Sequence, residues 1–335
     1  MSKKDVTERP FRVGIVPIPG FAVMSYACVA DPLRAANLLS GKPLYDIVHF
    51  AHDLVVPSSG AASISDCIAI GTDVPLDLLL VIAGGDPFAV QDKALFGWLG
   101  RMARKGVRVG GVSGGPVILA SAGLLEGRRM TVHWEHAVEL AGRFPDLMIE
   151  KRLYVMDRDR VTCGGGTAPL DFIHALVSDH HGGDFARLVS DWFLHTEIRA
   201  ATTPQRSGVL PGETLRSPHL QPVVAAMQDH IGDPLSLSQL ALMAGVSTRQ
   251  LNRVFVETLG VSAMAYYRRM RLEIAKRLMR GSSMAIAAVA EATGFASAAH
   301  FSSAYVAEYG CRPSADRIAA SQSTRDTGSV LPRKG

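Results

Sequence analysis

The sequence predicts a doubly wound, flavodoxin-like α/β domain with a mostly parallel sheet, followed by an all-α domain with two helix-turn-helix units. Short apolar, β-rich runs alternate with longer helical segments as far as residue 196, which is the pattern of βαβ units. Strand patterns are missing between residues 219 and 320. In that second part, a helix, a glycine turn and a second helix occur twice, as helix-turn-helix units require.

The strand candidates of the first domain are nearly all apolar, which is typical of strands buried on both faces of a parallel sheet. They are 11–16, 46–51, 76–83, 107–112, 130–133 and 160–163. The predicted helices are 24–39, 90–105, 116–122, 135–143 and 168–180, with a closing helix over 184–199. Helix breakers indicate a linker over 201–218, so the predicted domains are 1–200 and 219–320, with a disordered polar tail over 321–335.

The composition is that of an ordinary soluble globular protein: 335 residues, 47% apolar and 20% charged. No apolar run approaches the roughly 18 to 20 residues that span a bilayer. The N-terminus has no apolar signal core, so we expect a cytoplasmic protein that does not contact membranes. The cysteines Cys28, Cys67, Cys163 and Cys311 lack zinc or CxxC spacing, so we expect reduced, mostly buried thiols, no metal and no cofactor.

The net charge of +4 is unevenly distributed along the chain. Residues 216–335 contain 14 Lys and Arg against 8 Asp and Glu, a net charge of +6, whereas residues 1–215 have a net charge of −2. This asymmetry indicates an anionic partner for the second domain.

The repeat in the second domain supplies what helix-turn-helix packing needs: a small alanine, a turn glycine and apolar residues that seat the second helix. The two copies are Ala241, Gly245, Leu251, Phe255 and Gly260, and then Ala290, Gly294, Phe301, Tyr305 and Gly310. Ser236 with Gln239, and Ser247 with Gln250, have capping-box spacing. Ser262 to Arg280 is predicted to be one basic amphipathic helix of about 30 Å, close to one duplex turn.

The outward face of each second helix is available for a DNA major groove. In the first unit it offers Thr248, Arg249, Gln250, Asn252 and Arg253, and Arg, Gln and Asn are the side chains that bind base edges bidentately. The second unit offers Ser297, His300, Ser302 and Ser303, with Arg312 just beyond it. Because residues 281–311 contain no Lys or Arg, we expect the first unit to provide most base-specific energy. The competing interpretation is a helix-turn-helix that serves only packing.

Residues 217–318 resemble the DNA-binding domain of AraC/XylS-type transcription activators. The resemblance is strongest from Gly294-Phe295 through His300-Phe301 to Gly310-Cys-Arg-Pro313. It implies a DNA-binding activator that contacts double-stranded promoter DNA and RNA polymerase, and it implies a homodimer.

In the first domain, Gly111-Val-Ser113-Gly-Gly115 matches G-x-S-x-G directly after a buried strand and before a helix. Such an elbow projects a serine above the sheet edge, which by itself suggests a serine hydrolase or amidase. The triad partners would have to come from His133, His136, Asp157 and Asp171, and no spacing selects among them.

Residues 11–199 resemble the PfpI-like branch of the class I glutamine amidotransferase superfamily. That family has a cysteine at this elbow, where this chain has Ser113, and a histidine that His133 matches. The acid of enzymatic relatives would fall near Ser25, which is not an acid. A serine hydroxyl has almost no anionic fraction at neutral pH, so we expect a sensor rather than an enzyme.

A PfpI-like domain joined to an AraC-type domain resembles regulators associated with arginine, glycine betaine and carnitine, and segments 31–37 and 162–171 are similar to that group. Ligands of doubly wound sheets bind beyond the carboxyl ends of the strands. We therefore expect a small-molecule effector, such as an amino acid or quaternary amine, at Gly85, Asp86, Ser113, Gly114, His133, Trp134, Gly165 and Thr167. Trp134 is equally compatible with a core position, and Asp86 with a turn. A constitutive repressor with a purely structural first domain remains the third interpretation.

Overall fold

The computed structural model describes residues 9–205, 220–281 and 284–318. Contacts divide the chain into two compact units, with the boundary between Gln205 and Arg206. The first residues of the predicted linker, 201–205, belong to the first unit, whereas 206–218 and the tail over 321–335 lie outside the described residues. Within the described ranges, no helix is both long enough and apolar enough to cross a membrane.

The first unit is built around a seven-stranded sheet in the order β10-β11-β7-β6-β1-β2-β5. The strands are β1 (Phe11–Pro17), β2 (Tyr45–Ala51), β3 (Val56–Pro57), β4 (Ser63–Ile64), β5 (Ile68–Ala69), β6 (Leu78–Ala83), β7 (Arg108–Ser113), β8 (Arg129–Met130), β9 (Met148–Ile149), β10 (Tyr154–Asp157) and β11 (Arg160–Cys163). Every pairing in this sheet is parallel except the β10–β11 hairpin. This confirms the predicted doubly wound class.

Helices cover both faces of the sheet. They are α1 (Val23–Ser40), α2 (Lys93–Arg104), α3 (Gly115–Ser121), α4 (Trp134–Arg143), α5 (Ala168–His181) and α6 (Gly183–Trp192), with a short 3₁₀ helix over Pro87–Ala89. One apolar core includes buried residues of α1, α5 and α6, and the other includes those of α2, α3 and α4. All six residues of the central strand β6 are buried, which explains its unbroken apolar sequence.

Two predicted elements of the first unit differ from the structure. The strand expected over 130–133 is reduced to β8, which pairs with β9 in a separate two-stranded sheet. The Thr131 N–H donates to Thr162 Oγ1, a side chain of β11, instead of to a strand backbone. The closing helix predicted over 184–199 ends at Trp192, because Leu194 adopts a left-handed φ of 55° that terminates it.

The second unit is helical over its described residues. Its helices are α7 (Gln221–Asp229), α8 (Leu237–Met243), α9 (Thr248–Leu259), α10 (Ala263–Gly281), α11 (Ile286–Ala292) and α12 (Ala298–Tyr309). The predicted repeat is confirmed, since α8 and α11 each have 7 residues and α9 and α12 each have 12.

Serine caps and left-handed glycines set the ends of the repeated helices. Ser236 and Gln239 form the complete predicted capping box at α8. Ser247 and Ser297 accept N–H bonds at the starts of α9 and α12. The turn glycines have φ near 70°, a conformation in which a side chain would be strained (66° for Gly245, 70° for Gly294, 71° for Gly260 and 72° for Gly310).

Candidate functional site

Ser113 ends β7 in the strained turn that the G-x-S-x-G pattern predicts. Its φ is +60°, a left-handed value that is uncommon outside glycine. The turn depends on close backbone approach: a Cβ on Gly111 would lie 2.5 Å from the nitrogen of Pro116, and one on Gly115 would lie 2.0 Å from the carbonyl oxygen of Val81. Both positions therefore exclude any side chain, and Ser113 is held buried at the carboxyl edge of the sheet.

The loop after β11 packs directly on Ser113. A Cβ on Gly165 would lie 2.6 Å from Ser113 Cβ, and Gly165 has a left-handed φ of +82°. The next N–H, that of Gly166, donates to Ser25 Oγ at 2.9 Å, and Ser25 is fully buried in α1. Ser25, near which the PfpI-like resemblance implies an acid, thus supplies a hydroxyl that anchors this loop.

His133 caps α4 beside the elbow. Its backbone N–H donates to the carbonyl oxygen of Ser113 at 3.2 Å, and its Nδ1 accepts a long 3.4 Å bond from the N–H of Glu135. Burial lowers the pKa of His133, although the nearby Glu135 carboxylate opposes the shift. Burial therefore favours the neutral form of this imidazole. Across the described ranges, no side-chain hydrogen bond joins Ser113 to His133.

The acids considered for a hydrolase triad are engaged elsewhere. Asp171 is fully buried and accepts bonds from His195 Nε2 at 2.9 Å and from Arg199 Nη2 at 2.6 Å. Asp157 accepts the backbone N–H of Arg129. Neither carboxylate orients His133 in this structure.

The Glu135 carboxylate lies beside His133, and no sequence motif indicates this pair. Its Oε2 lies 3.8 Å from His133 Nδ1. Ligand-capable atoms of His133, Glu135 and His136 all lie within 4.8 Å of one another, so these three residues form a group that could hold a metal ion. Burial, together with the neighbouring His133, lowers the pKa of His136 to about 4.

Two of the predicted effector residues, Asp86 and Thr167, have side chains that bond to other parts of the first unit. Asp86 caps the 3₁₀ helix by accepting the Phe88 N–H at 3.1 Å, which matches its turn-forming interpretation. Thr167 is exposed, and its Oγ1 accepts a bond from Arg199 Nη2. Ser113, Gly114, His133 and Gly165 converge at the carboxyl edge, whereas an open groove lined by Arg108, Met156, His174 and Asp179 lies at the amino edge of the sheet.

The structure places the side chain of Gln205 at this site, although the sequence did not indicate it. Its Oε1 accepts the backbone N–H of Trp134 at 2.9 Å, beside the elbow and the loop. Sequence patterns give no signal for it, because its partners lie more than 50 residues earlier in the chain.

The candidate DNA interface is the outward face of α9. Leu251 and Phe255 are buried beneath the helix, whereas the predicted base-reading side chains Thr248, Arg249, Gln250 and Arg253 are exposed. Asn252 differs, because it is half-buried and its Oδ1 accepts the N–H of Ala263 at the start of α10. We therefore assign Asn252 to packing between α9 and α10.

The second helix-turn-helix unit repeats this arrangement with fewer polar groups. Residues 251–260 and 301–310 have the same pattern of burial, position by position. Ser303, His300 and Arg312 are exposed, Ser302 is half-buried, and Ser297 is used as the cap of α12. The face of α12 lacks guanidinium groups, as the sequence indicates.

The basic connector predicted over 262–280 is α10, and most of its cations contact neighbours within the second unit. Arg269 pairs with Glu308 at 3.0 Å, Arg271 stacks on Phe295 at 4.5 Å, Lys276 lies 4.0 Å from the Tyr309 ring, and Arg280 pairs with Asp316 at 2.6 Å. Arg268 is exposed. The connector therefore presents less free positive charge than its composition suggests.

Comparison with known families places both units. Residues 38–179 match the DJ-1/PfpI family, and residues 240–318 match a helix-turn-helix domain. The fold and the paired helix-turn-helix units define a DNA-binding transcription regulator with a PfpI-like first unit.

Full-length relatives give the family. The chain is 42% identical over 301 residues to the HTH-type transcriptional regulator GlxA of Rhizobium meliloti, covering 88% of this chain and 91% of that protein. It is 35% identical over 305 residues to the HTH-type transcriptional regulator CdhR of Pseudomonas aeruginosa, covering 90% and 89%. The chain therefore belongs to the AraC-type HTH transcriptional regulators that carry a DJ-1/PfpI unit.

Solved structures support the fold of the first unit. A ThiJ/PfpI family protein from Pseudomonas syringae has a TM-score of 0.50 at 22% identity, covering 73% of this chain and 97% of that one. A putative transcriptional regulator protein from Vibrio parahaemolyticus also has a TM-score of 0.50, at 19% identity, covering 56% and 100%.

Proposed function

We propose that the chain is a ligand-responsive, sequence-specific transcription activator that works as a homodimer. A small metabolite binds at the carboxyl edge of the sheet and controls how the second unit binds promoter DNA and contacts RNA polymerase. The observation that supports this most directly is α9, which buries Leu251 and Phe255 on one face and exposes Arg249, Gln250 and Arg253 on the other.

In this proposal α9 provides base recognition and α12 provides supporting contacts. Guanidinium and carboxamide groups bind guanine and adenine edges bidentately, and α9 has both. The exposed Ser303 and His300 of α12 suit single hydrogen bonds to bases or phosphates. Most of the specificity therefore comes from the first helix-turn-helix unit.

The DNA-binding part is tested with duplexes selected by the full-length protein from a random-sequence pool. Replacing Arg249 or Arg253 with alanine should weaken binding to the selected duplex by about 1–3 kcal/mol and relax the sequence preference. Arg101→Ala, an exposed arginine of α2, is the charge-matched control. Wild-type affinity in both α9 variants would refute this interface.

The effector part rests on the convergence of Ser113, His133, Trp134 and the 164–167 loop. The helix α3 begins at this edge directly after Ser113, and the N-terminus of a helix suits a carboxylate. An amino acid or a quaternary amine with a carboxylate, such as a betaine, is the proposed class.

Thermal-shift measurements with L-arginine, glycine betaine and L-carnitine test the effector class. A ligand that binds only the native state raises Tm by mass action, and the same compound should change the affinity for the selected duplex. A protein that binds the duplex but responds to none of these compounds would support a constitutive repressor.

A serine hydrolase with an accessory DNA-binding unit is the alternative, and the strained elbow at Ser113 is what favours it. Turnover of ester and amide substrates that Ser113→Ala abolishes would support this alternative. Ligand-dependent DNA binding that survives Ser113→Ala would support the regulator.

A further inference from the structure

The segment that leaves the first unit returns to the effector site before the chain enters the second unit. Arg199 binds Asp171 through its backbone N–H, Nε and Nη2 and binds Thr167 Oγ1. The Ala201 carbonyl accepts the Leu153 N–H at 3.0 Å. Gln205 is the last residue of the first unit, so the side chain at the boundary is attached to the sensor.

The Gln205 carboxamide is surrounded by polar groups that complement its oxygen and its NH₂ group. Its Oε1 accepts the Trp134 N–H at 2.9 Å, and the two hydrogens of its Nε2 are shared among three acceptors: Thr131 Oγ1 at 3.0 Å, the Val132 carbonyl at 2.9 Å and the Arg152 carbonyl at 2.7 Å. One acceptor and one NH₂ group are both needed, and among common side chains only a carboxamide supplies them.

The same carboxamide packs on the loop that contacts Ser113. A Cβ on Gly164 would lie 2.6 Å from both the carbon and the nitrogen of the Gln205 carboxamide, so Gly164 leaves the space that it occupies. Gly165, the next residue, presses on Ser113. One side chain therefore contacts both segments of the proposed effector site, 131–134 and 164–167.

We propose that these groups form a carboxamide-binding site for the chain's own Gln205, and that occupancy of this site couples the effector site to DNA binding. The inference rests on the proposed function. An effector that moves 131–134 or 164–167 binds the closed and open states with different affinities, which is the requirement for shifting such an equilibrium.

Release of Gln205 changes where the second unit is attached. If the chain detaches back to Arg199, six more residues separate the units, which adds up to about 20 Å of chain length. In a dimer that must place two DNA-binding units on fixed half-sites, this extra length reduces the affinity for the selected duplex.

The test compares Gln205→Ala and Gln205→Glu with Thr202→Ala, an exposed neighbour that serves as the matched control. Glutamate has the size of glutamine and keeps an oxygen that can accept the Trp134 N–H. Its second oxygen replaces Nε2 and faces three oxygen atoms, to which it cannot donate a hydrogen bond. In both Gln205 variants of the full-length protein, we expect faster hydrogen exchange at the Trp134 amide. We also expect at least about 5-fold weaker binding to the selected duplex and wider tolerance of half-site spacing.

The outcomes separate this inference from the proposed function. If the wild type selects no duplex, the proposed function fails and the coupling fails with it. If the wild type selects a duplex but the Gln205 variants bind it within 2-fold of Thr202→Ala, only the coupling is overturned. Unchanged exchange at Trp134 would overturn the carboxamide site itself.

Discussion

At the scale of single residues, Ser113 combines a predicted position with a conformation that only the structure specifies. The G-x-S-x-G spacing locates the elbow, and the positive φ shows that the turn imposes strain on a residue with a Cβ. Among the described side chains, the contacts of His133 are with Glu135 and not with the Ser113 hydroxyl.

We expect Ser113→Gly to be more stable than Ser113→Ala by about 0.5–1 kcal/mol. A left-handed residue with a Cβ costs about 1–2 kcal/mol, which exceeds the 0.5–1 kcal/mol by which glycine usually destabilises an ordered position. Urea unfolding followed by tryptophan fluorescence measures this, because all three tryptophans lie in the first unit. A more stable alanine variant would show that the turn imposes no strain.

His136 links the same region to pH. Its pKa of about 4 lies below the ordinary value of 6.5, so between these values the unfolded state binds more protons and stability falls as the pH is lowered. This stability is fully present above pH 6.5. Between pH 7 and pH 5, the titration of His136 should lower the free energy of unfolding by about 2 kcal/mol.

The measurement is the unfolding free energy of the first unit at pH 7 and pH 5. His136→Gln should reduce the loss between the two pH values by about 2 kcal/mol. Equal losses in wild type and His136→Gln would mean that His136 titrates normally in the folded protein.

At the scale of elements, α9 and α12 show how far a local pattern determines function. Both helices were predicted from serine caps, apolar spacing and glycine stops, and the structure confirms them. Contacts with α10 decide which polar side chains of these two helices are available to DNA. Asn252 of α9 bonds to α10, and Glu308 of α12 pairs with Arg269 of α10.

Asn252→Ala should therefore destabilise the second unit rather than change base preference. Loss of the Asn252 side chain leaves the Ala263 N–H at the start of α10 without its side-chain acceptor and should cost about 1 kcal/mol, measured by urea unfolding followed by helical circular dichroism. Ser302→Ala, at the equivalent position of α12, is the control. A relaxed sequence preference with unchanged stability would instead make Asn252 a base-reading residue.

At the scale of the whole molecule, the boundary between the units is later than composition indicates. The breakers after residue 200 predicted a linker from 201, yet residues 201–205 are hydrogen-bonded to the first unit. The second unit also offers less free positive charge to an anionic partner than its composition indicates, because several cations of α10 are paired within this unit.

A chain ending at residue 205 should be more stable than one ending at residue 200 by about 2–4 kcal/mol. The longer chain keeps three bonds of the Gln205 carboxamide and the Ala201 bond to Leu153. At about 0.5–1.5 kcal/mol each these total about 2–6 kcal/mol, and the ordering of residues 201–205 offsets part of that gain. Urea unfolding of both, followed by tryptophan fluorescence, measures the difference. Equal midpoints would place the functional boundary at residue 200.

The sequence by itself determined the alternation of β1, β2, β6, β7 and β11 with helices, the elbow at Ser113 and the two helix-turn-helix units, because periodicity, caps and glycine turns are properties of neighbouring residues. It did not indicate the edge strands β5 and β10 of the sheet. It did not determine the small β8–β9 sheet, the end of α6, the packing role of Asn252 or the bonds of Gln205. These depend on partners from distant segments: the Gln205 partners lie 53 to 74 residues away in sequence. Only the tertiary structure brings such groups within hydrogen-bond distance, so only it decided which polar side chains remain available to a ligand or to DNA.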